Sequence, residues 1–227
     1  MGKLITIEGI DGSGKGSQVK NIKNYLNEKG IKNKIFSFPI YKSLTGNIIS
    51  DHLTGKYGDI TDIDYKQVCL FYAANRFMVK DKIEKAIEEN ELIISDRYTY
   101  SNLFSISKNP KNKWDESIKW LEDLEFGEFK LPKPYHNIYL YIDPEFSIKR
   151  TTERGKRDYQ NGKADIYETN IDLLKSATEC YSYISSCRDN WTIINQMKNG
   201  DNGLEQLDQN TVFELIKSCL ELIINEK

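Results

Sequence analysis

Three groups of residues have the types and spacing for phosphate chemistry. Gly9-Ile10-Asp11-Gly12-Ser13-Gly14-Lys15 fits G-x-x-x-x-G-K. Glycines at that spacing let consecutive backbone N–H groups converge on one anion. A helix starting at the end of the loop adds partial positive charge, and a lysine reaches the outer oxygens of a polyphosphate. The plainer reading is an ordinary glycine-rich turn. Asp96-Arg97 follows the apolar run Leu92-Ile93-Ile94. A carboxylate there can approach a cation, and a guanidinium at a strand tip can grip a phosphate with two parallel hydrogen bonds; the alternative is a structural Asp–Arg pair. Arg150 and Arg154 are spaced to share one helical face, with Arg157 just beyond Gly155. Alone they fit a solvated basic face equally well; beside a phosphate loop they read as a lid over roughly residues 150–165.

The loop departs from the usual pattern at one position. Gly16 stands where a Ser or Thr hydroxyl commonly meets Mg2+, and Ser17 comes next. Ser17, directly or through water, and Asp96 are therefore the candidates for the metal shell.

The surrounding pattern supplies elements to position these groups. Leu4 to Ile7 is β-prone and runs straight into the loop. From Lys15, Val19, Ile22, Tyr25 and Leu26 recur at helical spacing until Gly30. Strands are expected at Lys34 to Phe38, Leu92 to Ile94, Ile138 to Ile142 and Trp191 to Ile194. Helices are expected at Leu44 to Leu53, Tyr65 to Ala86, Val212 to Ile224 and both ends of Pro144 to Cys187, with a charged break near Gly155 to Gly162. Alternating strands and helices imply right-handed crossovers and a parallel five-stranded sheet covered on both faces, a three-layer α/β fold. Ligands in such sheets sit beyond the carboxyl ends of the strands.

At 227 residues the chain suits one compact domain, with a short linker-like stretch around Lys198 to Gly203. A formal charge of −2 gives no bulk attraction to nucleic acid or to an anionic membrane. The four cysteines form no C-x-x-C pair and only two histidines accompany them, which argues against zinc. Neither a signal-peptide core nor a membrane-length apolar run is present, so reduced cysteines and a cytoplasmic location are expected.

The loop sequence Gly-Lys-Gly-Ser-Gln resembles that of adenylate kinases, and three further stretches resemble thymidylate kinases, members of the P-loop nucleoside monophosphate kinases. Glu8-Gly9-Ile10-Asp11 matches that family's E-G-x-D. Leu70-Phe71-Tyr72-Ala73-Ala74-Asn75-Arg76 is similar to its L-F-x-A-x-R region, and Asp96-Arg97-Tyr98 with Ser101 to its D-R-Y-x-x-S signature. Leu131-Pro132-Lys133-Pro134 and Phe38-Pro39 are further likenesses, with Tyr41-Lys42 standing where an arginine is frequent. Asp165-Ile166-Tyr167-Glu168 resembles the acidic motif after the lid. Gly12 occupies the place where some members carry a loop arginine, which leaves that charge to the lid.

The resemblance implies a P-loop NTPase fold and transfer of the ATP γ-phosphoryl to thymidine monophosphate. It implies ATP contacts from Gly9, Ile10, Asp11, Gly12, Ser13, Gly14, Lys15, Gly16, Ser17, Arg150 and Arg154. Acceptor contacts are implied for Asp11, Phe38, Phe71, Arg76, Arg97, Tyr98, Ser101, Asn102 and Tyr167. In this reading Asp11 meets the 3′-hydroxyl or tunes the loop, Phe71 stacks on thymine, and Arg76 reaches the base or the acceptor phosphate. Phe71 and Arg76 lie about 140° apart on a helical wheel, so they border a pocket rather than share a stripe; without the family, Phe71 reads as core. Lys15, Arg97, Arg154 and Arg157 carry the transfer with Mg2+, which needs no general base because the acceptor phosphate is already anionic. A homodimer is implied, with no nucleic acid polymer or membrane as partner. Rival readings are a kinase for a deoxynucleoside, UMP/CMP or AMP, Glu8 being a possible base for a nucleoside acceptor, and a non-catalytic nucleotide-binding regulator.

Overall fold

The computed structural model describes residues 2–58, 62–89, 91–154, 170–201 and 203–226. Five strands form the central sheet: β1 (Lys3–Glu8), β2 (Asn33–Ser37), β3 (Leu92–Asp96), β4 (His136–Tyr141) and β5 (Trp191–Asn195). Their order is β2-β3-β1-β4-β5 and every pairing is parallel. β1 is central because its Leu-Ile-Thr-Ile run can be buried on both faces. The chain leaves β1 toward β2 on one side and later returns to β4 on the other. That switch of direction opens a crevice above the end of β1.

Side chains of opposite parity on the strands feed opposite layers. Ile5, Ile7, Ile94, Ile138 and Leu140 pack with Val19, Ile22 and Leu26 of α1 (Lys15–Glu28). Val212, Ile216, Leu220 and Ile223 of α9 (Gln209–Asn225) complete that layer. On the other face Tyr139 shares one core cluster with residues of α2 (Leu44–Leu53), α3 (Tyr65–Phe77), α5 (Leu103–Ile106), α6 (Trp114–Glu122) and α8 (Ile171–Ser186). Leu4, Ile93, Phe38 and Tyr98 meet α4 (Lys80–Glu88) through Ile83 and Ala86. Each fully buried Ile or Leu contributes about 1.5–3 kcal/mol relative to exposure.

Two expectations need revision. The helical pattern over Tyr65 to Ala86 is two helices, α3 and α4, separated at Met78-Val79. Periodicity alone carries no signal there, since neither Gly nor Pro marks the break. The linker-like stretch at Lys198 to Gly203 lies in an antiparallel hairpin, β6 (Met197–Gly200) and β7 (Gly203–Gln206). Met197 anchors it in the core, and Leu207 N–H closes it on Gln196 O at 2.7 Å. After β4 comes α7 (Pro144–Arg154). The expected break near Gly155 to Gly162 and the expected lid beyond Arg154 lie outside the described residues. Among the described residues no helix is long and apolar enough to cross a membrane.

Candidate active site

The glycine loop joins β1 to α1 and bends where side chains cannot. Gly12 has φ +75°, and a Cβ there would stand 2.6 Å from Ser147 O. Gly14, at φ +81°, begins α1 in the left-handed region. No side chain caps that helix start and its first turn holds no acid, an arrangement that suits an anion at its leading N–H groups. Lys15 is buried and folds back over the loop, donating to Gly9 O at 2.9 Å, Ile10 O at 2.7 Å and Ser13 Oγ at 3.3 Å. Ser13 O in turn accepts from Gln196 Nε2 at 2.9 Å.

Above the loop lies a cleft of about 530 Å³, lined by the loop, the β2 end, Asp96, Arg97 and Arg150. Arg97 reaches across it, its Nη2 donating to Asp11 Oδ1 at 2.6 Å and its Nη1 to Gly9 O at 3.4 Å. Burial opposes the Arg97 charge, but the carboxylates of Asp11 and Asp96 outweigh it and hold the guanidinium protonated. Ser147 Oγ donates to Asp11 O and so fixes α7 on the loop. One turn further along α7, Arg150 Nη2 comes within 3.5 Å of where a Gly14 Cβ would be. Arg150 Nη1 is buried with no hydrogen-bond partner among the described residues, and burial pulls its pKa down. A cation in that state is ready for an incoming anion.

Asp96 and Ser17 line the same cleft. A Cβ on Gly16 would meet Asp96 Oδ2 at 3.7 Å, so the position that usually bears a hydroxyl faces that carboxylate. Among the described residues no cluster of three or more His, Cys, Asp or Glu is found. Such a sparse, hard-oxygen donor set fits Mg2+, which keeps waters and phosphate oxygens in its shell.

The expected residues divide sharply. Gly12, Gly14, Lys15, Gly16, Ser17, Asp11, Phe38, Asp96, Arg97 and Arg150 come together in the cleft. Ile10 instead sends its side chain into the core. Phe71 packs against His52 and Tyr57, with ring centroids 5.9 and 6.0 Å away. Arg76 is fully buried: Nε donates to Glu125 Oε2 at 2.8 Å, Nη2 to Glu125 Oε1, and Nη1 to Tyr98 O at 3.2 Å. Tyr98 is also buried, its hydroxyl on Pro132 O at 3.1 Å. Ser101 donates to Glu8 at 2.7 Å and Asn102 to Glu125 at 3.2 Å. Arg157 and Tyr167 lie outside the described residues, and the Arg154 side chain is likewise not described.

Sequence reasoning gave no site role to Ser37, Pro39 and Tyr41 of the cleft wall, although it noted the last two as part of a family likeness, and it missed Ser147 beneath Arg150 and Gln196 behind the loop. The first three lie at or just beyond the carboxyl end of β2, so the rule on strand ends could have found them. Glu125 was missed as well. It sits in a π-helical turn, Asp123–Glu128, that extends α6 and turns its carboxylate inward.

The family model described as thymidylate kinase matches residues 7–207. The chain belongs to that family. A thymidylate kinase of Buchnera aphidicola is 31% identical over 175 residues, 75% of this chain and 78% of the relative. That of Arabidopsis thaliana is 29% identical over 224 residues, 97% and 74% of the two chains. That of Mycobacterium tuberculosis is 28% identical over 185 residues, 81% and 86%. The solved structure of the Candida albicans thymidylate kinase superposes with a TM-score of 0.73 at 23% identity, covering 100% of this chain and 94% of that one. The parallel sheet and its glycine loop are thus those of a P-loop fold. The reaction of this thymidylate kinase is phosphorylation of dTMP by ATP, a step in dTTP synthesis.

Proposed function

We propose that Lys15, Arg97 and Arg150, together with Arg154 and Arg157 of the lid, bring ATP and dTMP end to end in the cleft. The observation that carries this reading is the convergence of the loop, a strand tip and a helix on one cavity. ATP lies with its β and γ phosphates over the open N–H groups of α1, and Lys15 exchanges its loop carbonyls for phosphate oxygens. Arg150 meets the donor side. Arg97, already aimed across the loop at Asp11, takes the acceptor phosphate. Phe38 and Tyr41 wall the acceptor side. Phe71 stacks on thymine only if it leaves His52 and Tyr57. Arg76 would reach the base through the two N–H groups left by its bonds to Glu125 and Tyr98. Tyr98, Ser101 and Asn102 shape the acceptor side from behind, and Tyr167 adds a nucleoside contact. Asp96, and Ser17 directly or through water, would hold Mg2+, which when bound would supply charge neutralisation for the transfer. Catalysis is then positioning and charge stabilisation, with no side chain needed as base. Glu8 is unsuited to that task, since its carboxylate is fully buried and already accepts from Tyr98 N–H, Ser101 and Tyr181.

Initial rates with both substrates varied test these roles. Arg150→Ala should raise KM for ATP and Arg97→Ala should lower kcat/KM for dTMP. If each variant affected both substrates alike, the division of roles would be wrong. A panel offering thymidine, UMP, CMP and AMP beside dTMP checks the acceptor, and preferred phosphorylation of thymidine would overturn the dTMP assignment. A homodimer is supported by exposed Leu70 and Phe77 on α3 and Met78 just beyond it. Sedimentation showing only monomer at micromolar concentration would contradict it. A cytoplasmic setting accords with four free cysteines.

A further inference from the structure

Arg97 has φ +67°, a left-handed backbone conformation that a residue with a Cβ holds only when its surroundings impose it. Returning that backbone to an ordinary conformation would redirect its side chain away from Asp11. The residue itself is fixed by Arg97 N–H donating to Ile7 O at 3.1 Å and by Ser95 Oγ donating to Arg97 O at 2.6 Å.

The next residue is gripped on both sides by buried carboxylates. On one side Tyr98 N–H donates to Glu8 Oε1 at 2.8 Å. Glu8 Oε2 is engaged by Ser101 Oγ at 2.7 Å and by Tyr181 OH of α8 at 3.1 Å. On the other side Tyr98 O accepts from Arg76, which Glu125 holds through both Nε and Nη2. Glu125 also receives Thr99 Oγ1 at 2.7 Å and Asn102 Nδ2 at 3.2 Å. Both carboxylates are 0% exposed and neither lines the cleft. Burying two carboxylates beneath one turn is costly unless each is fully hydrogen-bonded, and here each is. With their acceptor capacity engaged and no route to substrate, their contribution lies in what they hold.

We infer that Glu8 and Glu125 are positioning residues for Arg97, clamping the Tyr98 peptide groups from opposite sides so that the left-handed turn presents the guanidinium to the acceptor phosphate. The inference rests on the assignment of Arg97 to that phosphate. A small displacement of such a group has a large effect on rate, because the reacting geometry tolerates little error.

Steady-state kinetics with each substrate varied, alongside ATP binding and thermal unfolding, tests the clamp. Glu8→Gln keeps the volume but places an amide N–H2 among donors. It should lower kcat/KM for dTMP on the order of tenfold to a hundredfold, with the KM for ATP and ATP binding unchanged. Glu125→Gln should show the same split between substrates. Tyr181→Phe leaves Glu8 in place and removes one donor. It should give a smaller loss in the same direction, and it decides the matter if Glu8→Gln yields no folded protein. Equal losses on both substrates, or wild-type kcat/KM for dTMP, would overturn the inference. Arg97→Ala separates the two levels. If it retains dTMP turnover, the phosphate assignment fails. If it loses turnover while the Glu8 and Tyr181 variants do not, only the clamp fails.

Discussion

The two sides of the cleft, proposed to take donor and acceptor, are built in different ways. On the proposed donor side Gly12, Gly14, Lys15, Gly16 and Ser17, near neighbours in the chain, line the cavity at a helix start that no side chain caps. On the acceptor side Arg76, Tyr98, Ser101 and Asn102 turn inward to Glu8 and Glu125, and Arg97 is the residue of that cluster that emerges. A phosphate can be held by a loop of fixed backbone shape. A guanidinium aimed from a strand tip needs a buried polar scaffold behind it. Substitutions on the acceptor side should accordingly cost stability, and those on the donor side should cost rate with the fold intact.

The largest effect is expected from Glu125→Ala. It strands a fully buried Arg76 and should destabilise the protein by about 3–5 kcal/mol in urea unfolding; a loss below about 1 kcal/mol would show that the pair is not a structural linchpin. Lys15→Ala should remove about 2.7–4 kcal/mol of transition-state stabilisation, a hundredfold or more in kcat. Its unfolding midpoint should stay close to wild type, and a variant with near-normal turnover would remove Lys15 from the mechanism.

A pH dependence comes next in size. Burial, with Lys108 nearby, lowers the His52 pKa from 6.5 to about 4. The unfolded chain therefore binds a proton first as pH falls, and stability should drop between pH 6.5 and 4. The full shift corresponds to about 3 kcal/mol. Glu8 acts in the opposite sense, since burial raises its pKa and the folded state takes up that proton first. His52→Phe should flatten the decline, and an unchanged slope would assign it to other groups. The smallest effect is expected from Phe71→Leu. With Phe71 packed on His52 and Tyr57, the swap should cost less than about 1.5 kcal/mol in stability. If Phe71 remains there with substrate bound, the KM for dTMP should hold. A sharp rise in that KM would show that Phe71 moves onto the base.

The contrast between the two sides also explains what could be read in the sequence. Most of the sheet was legible because β1, β3 and β4 are buried apolar runs, while β2, half-buried, was marked chiefly by Pro39 beyond its end. The phosphate loop was legible because its function resides in a contiguous backbone pattern. Arg97 and Asp96 were legible from their place after a strand. Phe71 was assigned to thymine by the family resemblance, whereas helical spacing alone read it as core. The helix phase, however, turns it toward His52, while Tyr72, at i−4 from Arg76, packs half-buried against the main core. Glu125 carries no local signal, because a carboxylate in an acidic helical stretch normally faces water. Only the π-helical turn and the arginine opposite bring it inside. The division of Tyr65 to Ala86 into two helices is likewise a product of packing on β3 and the core.

In the proposed mechanism one cleft serves both nucleotides. Calorimetric titration with a single molecule joining adenosine to thymidine through an oligophosphate chain tests it directly. The compound should displace both ATP and dTMP. Arg97→Ala and Arg150→Ala should each weaken it by about tenfold or more, as expected for loss of a charge-assisted contact. Displacement of only one nucleotide, or binding indifferent to both arginines, would contradict it.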